Sequence, residues 1–190
     1  MIGATNEGEA DRPVLVRVAD SIGPHAAALF IGNRLAAEDP ALLFAHAITS
    51  TMNVAVNVEI GPLTLPDGAP VRRTQIGLID GPGNTASHLL AAVLALDGIL
   101  GQASPGKPSY PPHRAGNVLV HCRAGHSRSV TVLALYLHLA MRDRYPSLDE
   151  AVDHLRRLRQ LQPHQPKRDL LILARQILQD PASARLSFAG

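Results

Sequence analysis

The sequence predicts an α/β or α+β fold in which helices pack around one central mixed sheet of about five strands. Three features of the 190-residue chain support this prediction. Five short segments rich in valine, isoleucine and leucine have the length of strands. Segments with helical periodicity lie between them, and helices prevail towards the C-terminus. Strands mixed with helices in this way are typical of a sandwich around a single sheet.

The first half of the chain supplies four of the predicted strands. Residues 14–18 and 28–31 form two of them and are separated by a turn at Gly23-Pro24. A short helix is predicted over residues 36–47, ahead of a valine-rich strand over residues 51–58. Residues 61–73 carry prolines and glycines and predict a loop. The fourth strand, over residues 75–79, ends at the turn sequence Asp80-Gly81-Pro82-Gly83-Asn84.

The second half supplies the last strand and most of the helices. A helix is predicted over residues 85–100, with Asn84 or Ser87 as candidates for its cap. Residues 101–116 contain four prolines and three glycines, which predict an extended surface loop. A short apolar strand follows at residues 118–120. The helix predicted over residues 129–144 is apolar on nearly all sides and should be buried.

Two further helices are predicted near the C-terminus. Ser147 and Glu150 form a capping box that opens the first of them. Its apolar face consists of Leu148, Ala151, Val152, Leu155 and Leu158. The second covers residues 166–179. We therefore expect one domain over residues 13–180, flanked by a disordered polar tail at residues 1–12 and a C-terminal tail at residues 181–190.

Composition narrows the classes of function. Hydrophobic residues make up 46% of the chain and charged residues 18%, as in ordinary globular proteins. The longest apolar stretch, residues 129–141, is too short to cross a bilayer. Residues 1–4 lack the basic start of a signal peptide. We expect a soluble cytoplasmic protein with neither a membrane nor a nucleic-acid partner.

Charge and cysteine content exclude further classes. Basic residues gather late in the chain without interleaved aromatic residues, which favours a solvated helix face over a nucleic-acid site; they are Arg156, Arg157, Arg159, Lys167 and Arg168. The single cysteine, Cys122, excludes an internal disulfide and a multi-cysteine zinc site. A lone cysteine is usually a small buried hydrophobic residue, so its neighbours must decide whether it does chemistry.

The segment from Val118 to Val130 combines a strand, a tight loop and a helix. Cys122 stands where the strand ends, and Arg128 stands six residues later where the helix begins. Unpaired N–H groups of such a loop point inward and bind anions, and the helix dipole adds to the attraction. Gly125 allows the tight turn. The segment therefore predicts a cradle for a phosphate group.

Side chains of the same segment add chemistry to this cradle. Arg128 can grip two phosphate oxygens at once through its planar guanidinium. The positive surroundings lower the pKa of Cys122 and favour a nucleophilic thiolate. Ser129 can donate a hydrogen bond to the sulfur and help it leave in a second step. The remaining loop residues are expected to surround the phosphate; they are Arg123, Ala124, Gly125, His126 and Ser127.

The sequence His121-Cys-Arg-Ala-Gly-His-Ser-Arg-Ser129 resembles the signature of the protein tyrosine phosphatase superfamily. Its Ala-Gly-x-x-Arg-Ser form resembles the dual-specificity branch, in an atypical form that consists of the catalytic domain alone. Segments at residues 29–37, 48–54 and 134–137 are also similar to that family, so the resemblance extends over residues 26–178. It implies a protein tyrosine phosphatase-like fold, a phosphocysteine intermediate and no metal or other cofactor. His121 is then a structural support of the loop rather than a base.

The resemblance also implies a general acid on a loop upstream of the cysteine. Asp80 follows a predicted strand and is our candidate, whereas Asp67 is the alternative because it too lies in a loop before Cys122. The family spacing from acid to cysteine is shorter, and residues 101–116 account for the excess. Asp80 could also be a plain turn residue ahead of Gly81.

The implied function is hydrolysis of phosphomonoesters on proteins, at phosphotyrosine and at phosphoserine or phosphothreonine. A phosphoinositide, an RNA 5′-end or a phosphoglucan are alternative substrates on the same scaffold, although the loop lacks the lysines of inositol-lipid relatives. A phosphate-binding pseudophosphatase is a third possibility. A rhodanese or an arsenate reductase fits less well, because the latter needs further cysteines. His126 either faces the substrate or faces only solvent.

Overall fold

The computed structural model describes residues 11–104, 106–110, 114–183, 186 and 188. Most of the predicted N-terminal tail, residues 1–10, lies outside the described residues. The described part forms one five-stranded sheet, whose strands are β1 (Leu15–Ile22), β2 (Ala27–Gly32), β3 (Ile48–Ala55), β4 (Arg72–Leu78) and β5 (Asn117–His121). The predicted number of strands is confirmed.

The sheet is mixed, as predicted, and its order is β1-β2-β5-β3-β4. Only β1 is antiparallel to its neighbour, β2. The other four strands run parallel to one another, with β5 at the centre. The carboxyl ends of β2, β5, β3 and β4 therefore open onto the same edge of the sheet. Residues that follow these strands are brought together there, although they are distant in the sequence.

Six helices occur in the described residues. They are α1 (Arg34–Ala37), α2 (Pro40–Ala45), α3 (Ala86–Gly101), α4 (Arg128–Ala140), α5 (Leu148–Arg159) and α6 (Arg168–Gln179). The single helix predicted over residues 36–47 was wrong, because the chain forms α1 and α2 instead. Pro40 has no N–H to continue a helix and disfavours helical backbone in the residue before it. Asp39 caps the new helix by accepting a hydrogen bond from the Leu42 N–H at 2.9 Å.

The sheet is covered on both faces. Alternate residues of β2 and β5 divide between two cores: Leu29 and Val118 pack with α3, α4, α5 and α6, whereas Phe30 and Leu119 pack with α1, α2 and the loop before β4. The prediction that α4 is a buried helix is confirmed, since most of its residues are buried. A central parallel strand with both faces covered is expected to be apolar, as the inner residues Val118, Leu119 and Val120 of β5 are.

Several predicted boundaries differ from the structure by a few residues. The third strand covers Ile48–Ala55 rather than residues 51–58, and α4 ends at Ala140 rather than at residue 144. The capping box of Ser147 and Glu150 is confirmed. On the helix that it opens, Leu158 is only half-buried and Arg159 is buried in its place. Sequence periodicity identified this helix correctly and missed the buried cation at its end.

The proline-rich segment joins α3 to β5 at the amino end of the central strand. Its described residues after Gly101 form neither helix nor strand. Two side-chain contacts hold its flanks: Arg72 donates to Gln102 at 2.7 Å, and Arg114 donates to Asp67 at 2.6 Å. Both contacts lie at the edge of the sheet opposite to Cys122.

Part of the predicted C-terminal tail contacts the domain. The ring of Phe188 lies 6.1 Å from that of Tyr136 on α4, in an edge-on arrangement. The domain boundaries at residues 13 and 180 stay a prediction. No helix in the described ranges has both the length and the apolar character needed to cross a membrane.

Candidate active site

The predicted phosphate cradle lies at the carboxyl edge of the sheet. Cys122 directly follows β5, and Arg128 is the first residue of α4. The loop between them curls so that the backbone enters the helix beside the sulfur atom. The structure thus brings together the two residues that the sequence motif placed at its ends.

Gly125 is required at its position in the loop for two reasons. Its φ angle is +76°, a conformation that residues with a side chain rarely adopt. A Cβ atom there would also lie 2.7 Å from the carbonyl oxygen of Gly32 at the end of β2. In this conformation the Gly125 N–H donates a hydrogen bond to the Sγ atom of Cys122, at 3.2 Å.

The surroundings of Cys122 favour the thiolate. The thiol is buried, with 2% of the residue exposed, and burial alone would raise its pKa. Hydrogen bonds from the hydroxyl and the backbone N–H of Ser129, the charge of Arg128 and the Gly125 N–H outweigh that cost, so the pKa is lowered. The Ser129 Oγ atom lies 3.4 Å from Sγ.

His121 lies beneath the loop at the end of β5. Its side chain is buried, and its Nδ1 atom is 3.4 Å from the carbonyl oxygen of Cys122. A carbonyl only accepts hydrogen bonds, so Nδ1 must carry the proton of a neutral ring. Burial lowers the pKa of His121 to about 4, which keeps the ring neutral at physiological pH. A ring that stays neutral at physiological pH suits a support of the loop backbone better than a proton-transfer group.

The guanidinium of Arg128 is almost completely buried; two oxygen atoms accept hydrogen bonds from it, and a carboxylate oxygen lies nearby. Nη1 donates to Asn57 Oδ1 at 2.7 Å and to the Leu78 carbonyl oxygen at 3.3 Å. Nε lies 3.8 Å from Asp80 Oδ1. Asn57 was missed in the sequence because the strand predicted over residues 51–58 included it. The shorter β3 instead places Asn57 in a turn at the carboxyl edge.

The two candidate acids lie at opposite edges of the sheet. Asp80 follows β4 and faces Arg128 at the edge that carries Cys122, with its side chain 43% exposed. Asp67 is paired with Arg114 at the other edge. The hydrogen bond from Arg114 lowers the pKa of Asp67 and favours its charged form. Of the two candidates, Asp80 is therefore the one at the edge that carries the predicted cradle.

The loop that carries Asp80 is braced by Asn84. The Asn84 side chain accepts from the Ile79 N–H at 2.8 Å and donates to the carbonyl oxygens of Ile79 at 2.8 Å and Gly81 at 3.0 Å. The expectation that Asn84 or Ser87 caps α3 was wrong. Thr85 is the cap, because its hydroxyl accepts from the His88 N–H.

The far side of the loop contacts α5 and the start of α6. The Ser127 hydroxyl accepts from the Lys167 N–H at 2.8 Å, and the Arg159 Nη2 atom donates to the Ala124 carbonyl oxygen at 3.4 Å. Only 3% of Arg159 is exposed, so this residue does not belong to the solvated basic face on which we expected it. Its burial was missed because sequence alone does not distinguish a solvated arginine from one that supports a loop.

The remaining loop residues differ in exposure. Arg123 is exposed, whereas Ala124 and His126 are half-buried. The Arg123 carbonyl oxygen accepts from the Arg34 N–H at 3.0 Å, which ties the loop to α1. The side chain of Arg123 is thus at the rim of the cradle rather than inside it.

Comparison with known protein families finds one match that includes this site. Residues 108–175 match the family described as "Dual specificity phosphatase, catalytic domain". This span contains the cysteine, the loop, Arg128 and most of the three C-terminal helices. In this span the chain is similar to a dual-specificity phosphatase catalytic domain.

Solved structures of dual-specificity phosphatases share its fold. Human DUSP28 is 26% identical, with 85% of this chain and 90% of that chain covered and a TM-score of 0.60. A mouse putative dual-specificity phosphatase, solved as a complex with zinc tungstate, is also 26% identical, with 93% and 91% covered and a TM-score of 0.60. The Yvh1 phosphatase domain from Chaetomium thermophilum has the same fold at 22% identity, with 91% and 100% covered and a TM-score of 0.64. No curated protein matches the chain in sequence.

Proposed function

We propose that this domain hydrolyses phosphomonoesters on proteins, at phosphotyrosine and at phosphoserine or phosphothreonine, through a phosphocysteine intermediate. The observation that carries the proposal is the cluster at the carboxyl edge of the sheet. There the Cys122 sulfur accepts hydrogen bonds from Gly125 and Ser129, and the guanidinium of Arg128 lies opposite Asp80. This cluster combines a nucleophile, an anion-binding loop and a group able to transfer a proton.

In the first step, the thiolate of Cys122 attacks the phosphorus atom. The loop N–H groups, apart from the Gly125 N–H that donates to the sulfur, and the guanidinium of Arg128 hold the phosphoryl oxygens. The bond from phosphorus to the ester oxygen breaks, and protonated Asp80 gives its proton to that oxygen. The dephosphorylated alcohol or phenol leaves, and the phosphoryl group remains on sulfur.

In the second step, water attacks the phosphorus atom of phosphocysteine. Asp80, now a carboxylate, takes a proton from this water, so that the acid of the first step is restored. The phosphorus–sulfur bond breaks, and its electron pair returns to Cys122 as a thiolate. The hydroxyl of Ser129 stabilises the departing thiolate by a hydrogen bond, and orthophosphate leaves the site.

A substrate panel tests the proposal. Phosphotyrosyl, phosphoseryl and phosphothreonyl peptides are compared with phosphoinositides and RNA 5′-phosphates, with release of orthophosphate as the measurement. Cys122→Ser serves as the blank, because a hydroxyl is a much weaker nucleophile than a thiolate. We expect turnover of the peptides by the wild type and none by the variant. Equal activity of Cys122→Ser, or loss of activity with a metal chelator, would overturn the mechanism.

A further inference from the structure

A side-chain amide holds the guanidinium of Arg128 from the neighbouring strand. Asn57 Oδ1 accepts from Nη1 at 2.7 Å, the shortest of the three oxygen contacts of Arg128. Asn57 lies in the turn that follows β3, and 71 residues separate it from Arg128 in the sequence. Asn57 therefore belongs to a different part of the chain from the loop and helix that carry Arg128.

The turn that carries Asn57 is itself fixed. The buried side chain of Asn53 accepts from the Ala55 N–H at 2.9 Å and donates to the Val58 carbonyl oxygen at 2.6 Å. The Val58 N–H closes the turn on the Ala55 carbonyl oxygen at 3.4 Å. Because the turn is held on both sides of Asn57, the amide is a fixed anchor to which Arg128 attaches.

The chemistry of the anchor matters because the guanidinium must bind a dianion. An amide oxygen accepts a strong hydrogen bond from a cation without adding negative charge. A carboxylate in the same place would also hold Arg128, but it would neutralise the guanidinium and repel phosphate. The one carboxylate that faces Arg128 among the described residues is Asp80, at a longer distance and with 43% of its side chain exposed.

We propose that Asn57 is a positioning residue that fixes Arg128 with a neutral oxygen and so keeps its full positive charge available to the substrate phosphate. The proposal deepens the function proposed above and depends on it. Asn57 binds no substrate atom and acts only through the arginine. Residue 57 must provide an oxygen that accepts a hydrogen bond from Arg128, and it must carry no negative charge. Substitutions at this position can test the two requirements separately.

Three variants test the two requirements separately. For each, binding of tungstate and of orthophosphate to the purified chain is measured by calorimetry. Asn57→Ala removes the anchor and keeps the charge of the site. Asn57→Asp keeps an acceptor oxygen and adds a negative charge. Gln176→Glu, on the exposed surface of α6, adds the same charge away from the cradle and is the matched control. Thermal unfolding confirms that each variant is folded.

We expect Asn57→Ala to weaken oxyanion binding about tenfold, as for the loss of one hydrogen bond to a charged group. Asn57→Asp should weaken it by about tenfold more, because two negative charges then compete for one guanidinium. It should also shift the alkylation profile of Cys122 to higher pH, because the charge of Arg128 helps to lower that pKa. Gln176→Glu should bind as the wild type does.

Two results would overturn the proposal. Asn57→Ala that binds tungstate as the wild type does would mean that Arg128 needs no anchor. Asn57→Asp that binds more tightly than Asn57→Ala would mean that the acceptor matters and its neutrality does not. These binding measurements need no turnover. A wild-type chain that binds tungstate but hydrolyses no phosphomonoester would refute the proposed function and leave the role of Asn57 open to the same test.

Discussion

The Sγ atom of Cys122 and the Oγ atom of Ser129 lie 3.4 Å apart, and both side chains are buried where α4 begins. The backbone N–H of Ser129 also contributes to the lowered pKa of the thiol. A single residue of α4 thus stabilises the thiolate through two groups. The hydroxyl can be removed by mutation, whereas the N–H remains.

Ser129→Ala should raise the pKa of Cys122, since burial would then be opposed by fewer hydrogen bonds. The thiolate fraction at neutral pH falls, so the rate of alkylation by iodoacetamide should reach its midpoint at a higher pH than in the wild type. Hydrolysis of the phosphocysteine should slow more than its formation, and a burst of product should appear. An unchanged alkylation profile would show that the hydroxyl does not act on the sulfur.

Asp80→Asn should slow hydrolysis of alkyl phosphates by about 10²–10⁴-fold, the usual contribution of a general acid. Aryl phosphates with good leaving groups should be affected less, because their oxygen needs less help from a proton. The basic limb of the pH–rate profile should disappear as well. Asp67→Asn is the matched control, since Asp67 is paired with Arg114 at the opposite edge of the sheet. If only Asp67→Asn removed the basic limb, our choice of acid would be wrong.

Replacement of residues 101–116 by a short turn should leave hydrolysis of a small aryl phosphate within a few-fold of the wild type. The flanks of this segment contact Arg72 and Asp67 at the edge of the sheet remote from Cys122. The loss of these two contacts should lower the melting temperature while kcat/KM stays similar. A large loss of activity in a folded variant would mean that the segment reaches over the site.

Stability should fall as the pH decreases from about 6.5 to about 4, in part because of His121. Its pKa is about 4 in the folded chain and near 6.5 in an unfolded one, so the unfolded state takes up a proton first. The stability that depends on a neutral His121 is fully present above pH 6.5 and is lost as the pH falls from 6.5 to about 4. The difference corresponds to about 3 kcal/mol. Urea unfolding of His121→Gln should show a smaller loss between pH 7 and pH 4; an equal slope would contradict the assignment.

Peroxide should inactivate the protein by oxidising Cys122 to a sulfenic acid. Cys122 is the only cysteine, so no internal disulfide can trap that state, and rescue by added thiols should fade as exposure lengthens. Orthophosphate in the cradle should slow the reaction by covering the sulfur. Intact mass should show added oxygen at Cys122, or loss of water if a sulfenamide forms. Resistance to peroxide would indicate a protonated, inaccessible thiol and would refute the nucleophile assignment.

Much of this fold follows from local patterns in the sequence. The spacing of apolar residues identified all five strands, and the capping box placed the start of α5 correctly. The local sequence Asp39-Pro40 also indicates the break between α1 and α2. The prediction of one helix over residues 36–47 overlooked this signal. Local sequence does not indicate where β3 ends, because Val56 and Val58 are residues typical of strands. The strand ends after Ala55 because the chain turns there.

The sequence by itself determined the cradle, because Cys122, Gly125, Arg128 and Ser129 lie within eight residues and the backbone of one loop arranges them. Only the tertiary structure decided which groups surround it. Parallel strands β5, β3 and β4 end at one edge of the sheet, so Asn57 and Asp80 meet Arg128 there, while Asp67 lies at the other edge. These contacts depend on the order of the strands in the sheet, and a local sequence pattern does not predict that order.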